Sequence, residues 1–171
     1  NAENNLNTNR ETTMTTLATV ITGASSGIGE ALAHLFAPEQ QTLVLVARRK
    51  ERLDALAKEL NSKYGIKVHV ITQDLQEIGA AANLMNSISN LNLTVDTLVN
   101  NAGFGISAPF AKSDGAKTSA MMQLNMVALT ELTHMALPAM LERRHGRIMN
   151  IASGVAFQAC PYLAVYAAAR A

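Results

Sequence analysis

The feature that most constrains this chain is an alternation of two kinds of segment, repeated about five times along its 171 residues. A short apolar, β-branched run comes first, then a turn, then a stretch with helical periodicity. Leu17-Ala18-Thr19-Val20-Ile21 predicts a buried strand, and Ile28 to Phe36 a helix stopped before Pro38. Thr42 to Ala47 predicts a second strand. Lys50 to Tyr64 predicts a helix, with Leu53, Leu56, Leu60 and Tyr64 on one face and Gly65 at its end. Lys67 to Thr72 is a third strand, and Ile78, Ala81, Met85 and Ile88 mark the next helix. Val95 to Asn100 is a fourth strand. Asp114 to Arg143 reads as one long helix, whose Leu124, Val127, Ala128, Leu132, Met135 and Met140 need more cover than one sheet face gives. Arg147 to Ile151 is a fifth strand, and a last helix begins near Tyr162.

Strands joined by helical crossovers run parallel and need helices on both faces. The expected fold is therefore α/β, a Rossmann-type doubly wound parallel sheet, with the first strand central and the order running outward in two directions. Ligands in such sheets lie at the carboxyl ends of the strands. The folded domain is expected over residues 14–171. Residues 1–13 are almost wholly polar and read as a flexible arm that cannot offset its ordering entropy.

Composition excludes several classes of function. Lys plus Arg is 14 and Asp plus Glu is 13, so the net charge of +1 gives no reason to expect nucleic acid or an anionic membrane as partner. No apolar run is long enough to span a bilayer. The single cysteine, Cys160, excludes an internal disulfide and a thiolate-rich metal site, and the four histidines are far apart, so no metal is expected. With no apolar signal core at the N-terminus, a reducing cytoplasmic location is expected.

The chemistry-bearing residues follow the strands. After the first comes Thr22-Gly23-Ala24-Ser25-Ser26-Gly27-Ile28-Gly29, a G-x-x-x-G-x-G turn opening a helix. Glycines permit the turn and a close backbone approach, and the helix N-terminus attracts a diphosphate. A tight turn without ligand is the plain alternative. After the second strand come Arg48 and Arg49. An acid about 20 residues beyond the glycines would hold a ribose 2′-hydroxyl, but this place is basic, which suits a 2′-phosphate and favours NADP over NAD.

Asp74-Leu75 follows the third strand, and Asp74 either caps the next helix or accepts from an adenine amino group. Asn100-Asn101-Ala102-Gly103 follows the fourth. Ser153 follows the fifth, and Tyr166 and Arg170 stand four residues apart beyond it, so a helix there makes them neighbours on one face. A phenol beside a cation, with a serine hydroxyl aimed at the same point, is a proton-transfer device for a carbonyl or alcohol.

Taken together, these motifs resemble the short-chain dehydrogenase/reductase family from about Thr16 to the last residue. The resemblance implies hydride transfer between NADP(H) and a small carbonyl or alcohol substrate. It implies that Tyr166 gives or takes the proton, that Ser153 holds the substrate oxygen, and that Asn125 anchors a relay water. Gly23, Ser25, Ser26, Gly27, Ile28 and Gly29 would form the phosphate and ribose cradle. Arg48, helped by Arg49, would hold the 2′-phosphate, and Asp74 with Leu75 would meet the adenine. Ala102 and Gly103 would pass beneath the inner ribose, with Asn101 pinning neighbouring strands.

Two departures stand out. The family reads Tyr-x-x-x-Lys, but here the cation is Arg170, which keeps the charge and cannot lose a proton. Reduced turnover is therefore expected. Family members also continue further, with two more strands, so the domain is expected to be incomplete and its fifth strand to have a bare edge. The apolar excess of the long helix suggests a homodimer or homotetramer. The alternatives to an NADP-dependent reductase are a cofactor-binding but catalytically impaired relative, and a different Rossmann enzyme such as a nucleotide-sugar epimerase or a methyltransferase.

Overall fold

The computed structural model describes residues 15–39 and 42–171, so the polar arm over 1–13 lies outside the described residues. Five strands form one parallel sheet: β1 (Thr16–Thr22), β2 (Thr42–Ala47), β3 (Lys67–Thr72), β4 (Leu93–Asn100) and β5 (Arg147–Asn150). Their order is β3-β2-β1-β4-β5, so β1 is central and the chain winds outward to both sides, as expected.

The helices α1 (Gly27–Phe36) and α2 (Lys50–Tyr64) cover one face. There Ala33, Leu53, Leu56 and Leu60 pack on Ile21, Leu43, Leu45 and Val99. The other face carries α3 (Ala80–Asn90) and the long helical stretch after β4. There Leu84, Ile88, Ala128, Leu132 and Ala136 pack on Ala18, Val20, Val44, Val46 and Leu98. Alternate residues of each strand thus enter opposite cores, which is why β1 and β2 are apolar almost without interruption. Burying one leucine or isoleucine side chain contributes about 1.5–3 kcal/mol. Two such cores hold the helices to both faces of the sheet.

Three local features depart from the expected pattern. Ile78 does not join α3, which starts at Ala80 behind a left-handed Gly79, and it stands 94% exposed. In β4 the register against β1 slips between Ala18 and Thr19, leaving Asp96 as the extra residue. This bulge inverts the alternation, so Val95 and Leu98 face the same core. The long helix is really α4 (Gly115–Met122), a π-helical segment at Gln123–Ala128, and α5 (Leu129–Arg143). Its Ala128, Leu132 and Met140 are buried, whereas Val127 and Met135 are exposed. Strand β5 leaves one edge unpaired among the described residues.

On β3, the imidazole of His69 has its pKa lowered, first by burial and then by the charge of Lys67. Its Nε2 is buried without a hydrogen-bond partner. The folded form therefore resists a proton that the unfolded chain accepts. Its contribution to stability is whole above the ordinary imidazole value of 6.5 and drains away as the pH falls through the lowered value. A His69→Gln variant is expected to lose less stability than the wild type between neutral and mildly acidic pH. Parallel urea midpoints across that range would count against this assignment.

Candidate active site

The turn after β1 is built by two side chains from other positions. The Thr22 hydroxyl donates to the Val99 carbonyl at 3.1 Å and accepts the backbone N–H groups of Asn101 and Ala102, each at 3.0 Å. The Asn101 carboxamide donates to the carbonyls of Thr22 at 2.9 Å and Gly23 at 3.3 Å. The ends of β1 and β4 are thereby laced together. Gly23 takes φ +68°, and a Cβ there would stand 2.8 Å from Asn101 Nδ2 and 2.9 Å from Ala102 Cα. Only glycine meets both conditions.

The two arginines after β2 do different things. Arg49 folds back over the glycine turn. Its guanidinium donates to the Ser26 hydroxyl at 2.6 Å, the Ser25 hydroxyl at 3.0 Å and the Ser25 carbonyl at 3.3 Å. Arg48 points elsewhere and lies 3.6 Å from a carboxylate oxygen of Asp74. The other carboxylate oxygen of Asp74 accepts the Gln76 N–H at 3.0 Å, closing a local turn. Helix α3 begins only at Ala80, with Gly79 as its N-cap, so the capping reading of Asp74 is corrected. The carboxylate serves a turn well ahead of the helix.

At the ends of β4 and β5 the arrangement differs from helical expectation. Helix α6 covers only Ala164–Ala168, so Arg170 has left it. Tyr166 and Arg170 line the same cleft, but the hydrogen bonds of the Arg170 guanidinium go to backbone groups. The guanidinium turns inward, is 7% exposed, and donates to the carbonyls of Ile151 at 2.9 Å and Ala102 at 3.2 Å. It fills the space beside Gly103, where a Cβ would collide with it. The Arg170 carbonyl accepts the Ser153 N–H at 3.4 Å. Arg170 thus braces the two strand ends. The Tyr166 ring lies against Gly105.

Asn125 sits in the π-helical segment, a local widening often found at functional sites. It is buried, and its carboxamide is engaged in both directions with Phe104. It accepts the Phe104 N–H at 3.2 Å and donates to the Phe104 carbonyl at 2.9 Å.

Most of these pieces border one cleft of about 640 Å³. Gly23, Ser25, Ser26, Ile28, Arg48, Arg49, Asp74, Leu75, Asn101, Ala102, Gly103, Ser153, Tyr166 and Arg170 all line it. Gly27, Gly29 and Asn125 are not among the lining residues. Gln73, Gln76, Leu124 and Ile151 line it without having been expected. Gln73 directly follows β3, so the rule that directs attention to strand ends contained the signal for it. Among the aromatic residues, Phe104 borders the cleft, whereas Phe157 is 82% exposed. Among the described residues no group of three or more His, Cys, Asp or Glu side chains is placed to hold a metal, and no helix is long and apolar enough to cross a membrane.

A parallel sheet with β1 at its centre, and a glycine turn and a Ser/Tyr pair converging on one cleft, defines a Rossmann-type α/β domain. The family model for short chain dehydrogenases matches residues 17–171, and the chain belongs to that family. It is 34% identical over 160 residues to the ketoacyl reductase HetN of Nostoc sp., covering 94% of this chain and 55% of that protein. It is 35% identical over 158 residues to a very-long-chain 3-oxoacyl-CoA reductase of Anas platyrhynchos, covering 89% of this chain and 50% of the relative. Among solved structures, a short-chain dehydrogenase from Sphingobium yanoikuyae in complex with NADPH superposes with a TM-score of 0.82 at 35% identity. That match covers 91% of this chain and 60% of the other. The chain thus spans about half the length of these curated relatives.

Proposed function

We propose that this chain carries the coenzyme site and the proton-transfer pair of an NADP-dependent oxidoreductase acting on a carbonyl or alcohol. The observation that carries the reading is the cleft itself, with the Ser25/Ser26/Arg49 cluster and the Ser153/Tyr166 pair on one continuous surface. The similar Sphingobium yanoikuyae enzyme was solved with NADPH, and a similar metagenomic short-chain oxidoreductase with NADP.

The residues suit such a coenzyme. Gly23 leaves no Cβ between the turn and Asn101, and Ser25 and Ser26 line the cleft with their hydroxyls accepting from Arg49. Gly23, Ser25, Ser26, Ile28 and the start of α1 would hold the diphosphate and its ribose, with Gly27 and Gly29 shaping the turn. Arg48, on the Asp74 side, and Arg49, over the glycine turn, would hold the 2′-phosphate between them. Asp74 and Leu75 would meet the adenine, and Ala102 and Gly103 the inner ribose. When bound, the nicotinamide supplies or accepts a hydride at the substrate carbon. Tyr166 moves the proton at the substrate oxygen, and Ser153 orients that oxygen by a hydrogen bond. Asn125 acts from behind the wall, through its hold on Phe104. The exposed Met122, Met126 and Val127 on the long helix support association between copies of the chain.

A second reading has an observation of its own. Arg170 spends its guanidinium on two backbone carbonyls, which favours a coenzyme-binding protein with impaired turnover. Titration of NADPH fluorescence, followed by turnover of a simple ketone, tests both. Saturable binding is expected, with slow turnover that rises in an Arg170→Lys variant. Equal rates in the two would refute the impairment, and no binding of NADPH would overturn the proposal.

A further inference from the structure

Tyr166 is carried by a helix with little of its own to hold it. Helix α6 runs only from Ala164 to Ala168, and no side chain caps its start. So short a helix takes its stability from its surroundings. The loop beyond β4 meets this region at two places. Gly105 lies against the Tyr166 ring, and the Ala108 N–H donates to the Tyr162 carbonyl at 3.0 Å, just ahead of the helix. Tyr162 takes φ +66°, a left-handed conformation that a bulky residue keeps only where its surroundings demand it. Its side chain is largely exposed, so the conformation serves the backbone, turning the Tyr162 carbonyl to Ala108 and the chain into α6.

The loop is the firmer partner of the two. Phe104, immediately before Gly105, has both backbone groups held by the buried Asn125. A Cβ on Gly105 would have Tyr166 Cδ2 at 3.1 Å and Tyr166 Cγ and Cε2 at 3.2 Å as its nearest neighbours. Gly105 is not among the glycines with positive φ, so its missing side chain answers to the ring and not to the backbone. We propose that Gly105 and Tyr162 are positioning residues for Tyr166, a two-point mount that fixes where the phenol stands in the cleft. This rests on the reading of Tyr166 as the proton-transfer group.

Crowding the ring tests the first point. A Cβ at Gly105 displaces the ring by a few tenths of an ångström. Gly105→Ala is therefore expected to lower kcat about tenfold, with the KM for a simple ketone and the affinity for NADPH within about twofold of the wild type. The loss should run through the phenol. In a Tyr166→Phe background, where the hydroxyl is gone, adding Gly105→Ala is expected to cost nothing further in single-turnover rate. Tyr162→Val and Tyr162→Asn test the second point. Both remove the ring, but asparagine tolerates the left-handed conformation and valine does not. The valine variant is expected to lose about tenfold in kcat, and the asparagine variant to stay within about threefold of the wild type. If Gly105→Ala does not give the wild-type circular dichroism spectrum, the Tyr162 pair decides alone. Full activity in Gly105→Ala, equal rates in the two Tyr162 variants, or a loss that persists undiminished without the Tyr166 hydroxyl would overturn the mount and leave the oxidoreductase standing. A wild type that turns over no ketone would instead overturn the role of Tyr166, and the mount with it.

Discussion

Replacing Tyr166 by Phe is expected to lower turnover by about 10²–10⁴-fold while leaving coenzyme affinity close to that of the wild type. The magnitude is that of a positioned general acid or base. The separation of the two effects comes from the structure. Among the described residues no hydrogen bond engages the Tyr166 hydroxyl, and its ring is held by packing against Gly105. Phenylalanine keeps that packing and removes only the hydroxyl. Stability should therefore change by less than about 0.5 kcal/mol. Single-turnover measurements on a ketone with saturating NADPH check the rate, and fluorescence titration checks the affinity. A rate within a factor of about three of the wild type would remove Tyr166 from the chemistry.

The other large effect is structural. Gly23→Ala is expected to destabilise the domain by about 2–5 kcal/mol. About 1–2 of that comes from a side chain at positive φ, and about 1–3 from a Cβ forced against packed backbone. The obstacle is Ala102 Cα at 2.9 Å, which cannot move without disturbing the end of β4. Gly27→Ala is the control. Gly27 also has positive φ, at +58°, but a Cβ there meets nothing within 4 Å. It should show the conformational cost alone. Urea denaturation of the two variants measures the difference, and equal midpoints would refute the packing argument. Coenzyme binding should fall with Gly23→Ala even below the unfolding range, because the cradle and the β1–β4 lacing share this residue.

Much of the framework was legible because local and tertiary demands agree. The bounds of β2, α2 and β3 match their apolar runs, and Gly65 ends α2 in the left-handed conformation that its sequence signal predicts. Ligands gather at strand ends in sheets of this kind, and most of the residues expected there do line one cleft.

What failed was geometry that residue spacing does not carry. The i, i+4 spacing of Tyr166 and Arg170 says nothing of where the helix stops: it ends at Ala168, and the Arg170 guanidinium takes two strand-end carbonyls. The bulge at Asp96 and the π-helical segment around Asn125 each depend on a partner element, so no local pattern announces them. The paired arginines read as a phosphate site in the sequence. Their division of labour needed the positions of Ser26 and Asp74, from segments far apart in sequence.

The grip of Asn125 on both backbone groups of Phe104 partitions the loop beyond β4 into two mechanical regimes. On one side, Asn101 to Gly103 is sewn to β1 and to Arg170 and shares their rigidity. On the other, Pro109 to Lys112 is exposed and linked mainly by short-range contacts. The anchor works as a firebreak. A change downstream of Phe104 is therefore expected to alter what approaches Tyr166 while leaving the segment from Asn101 to Gly103 in place.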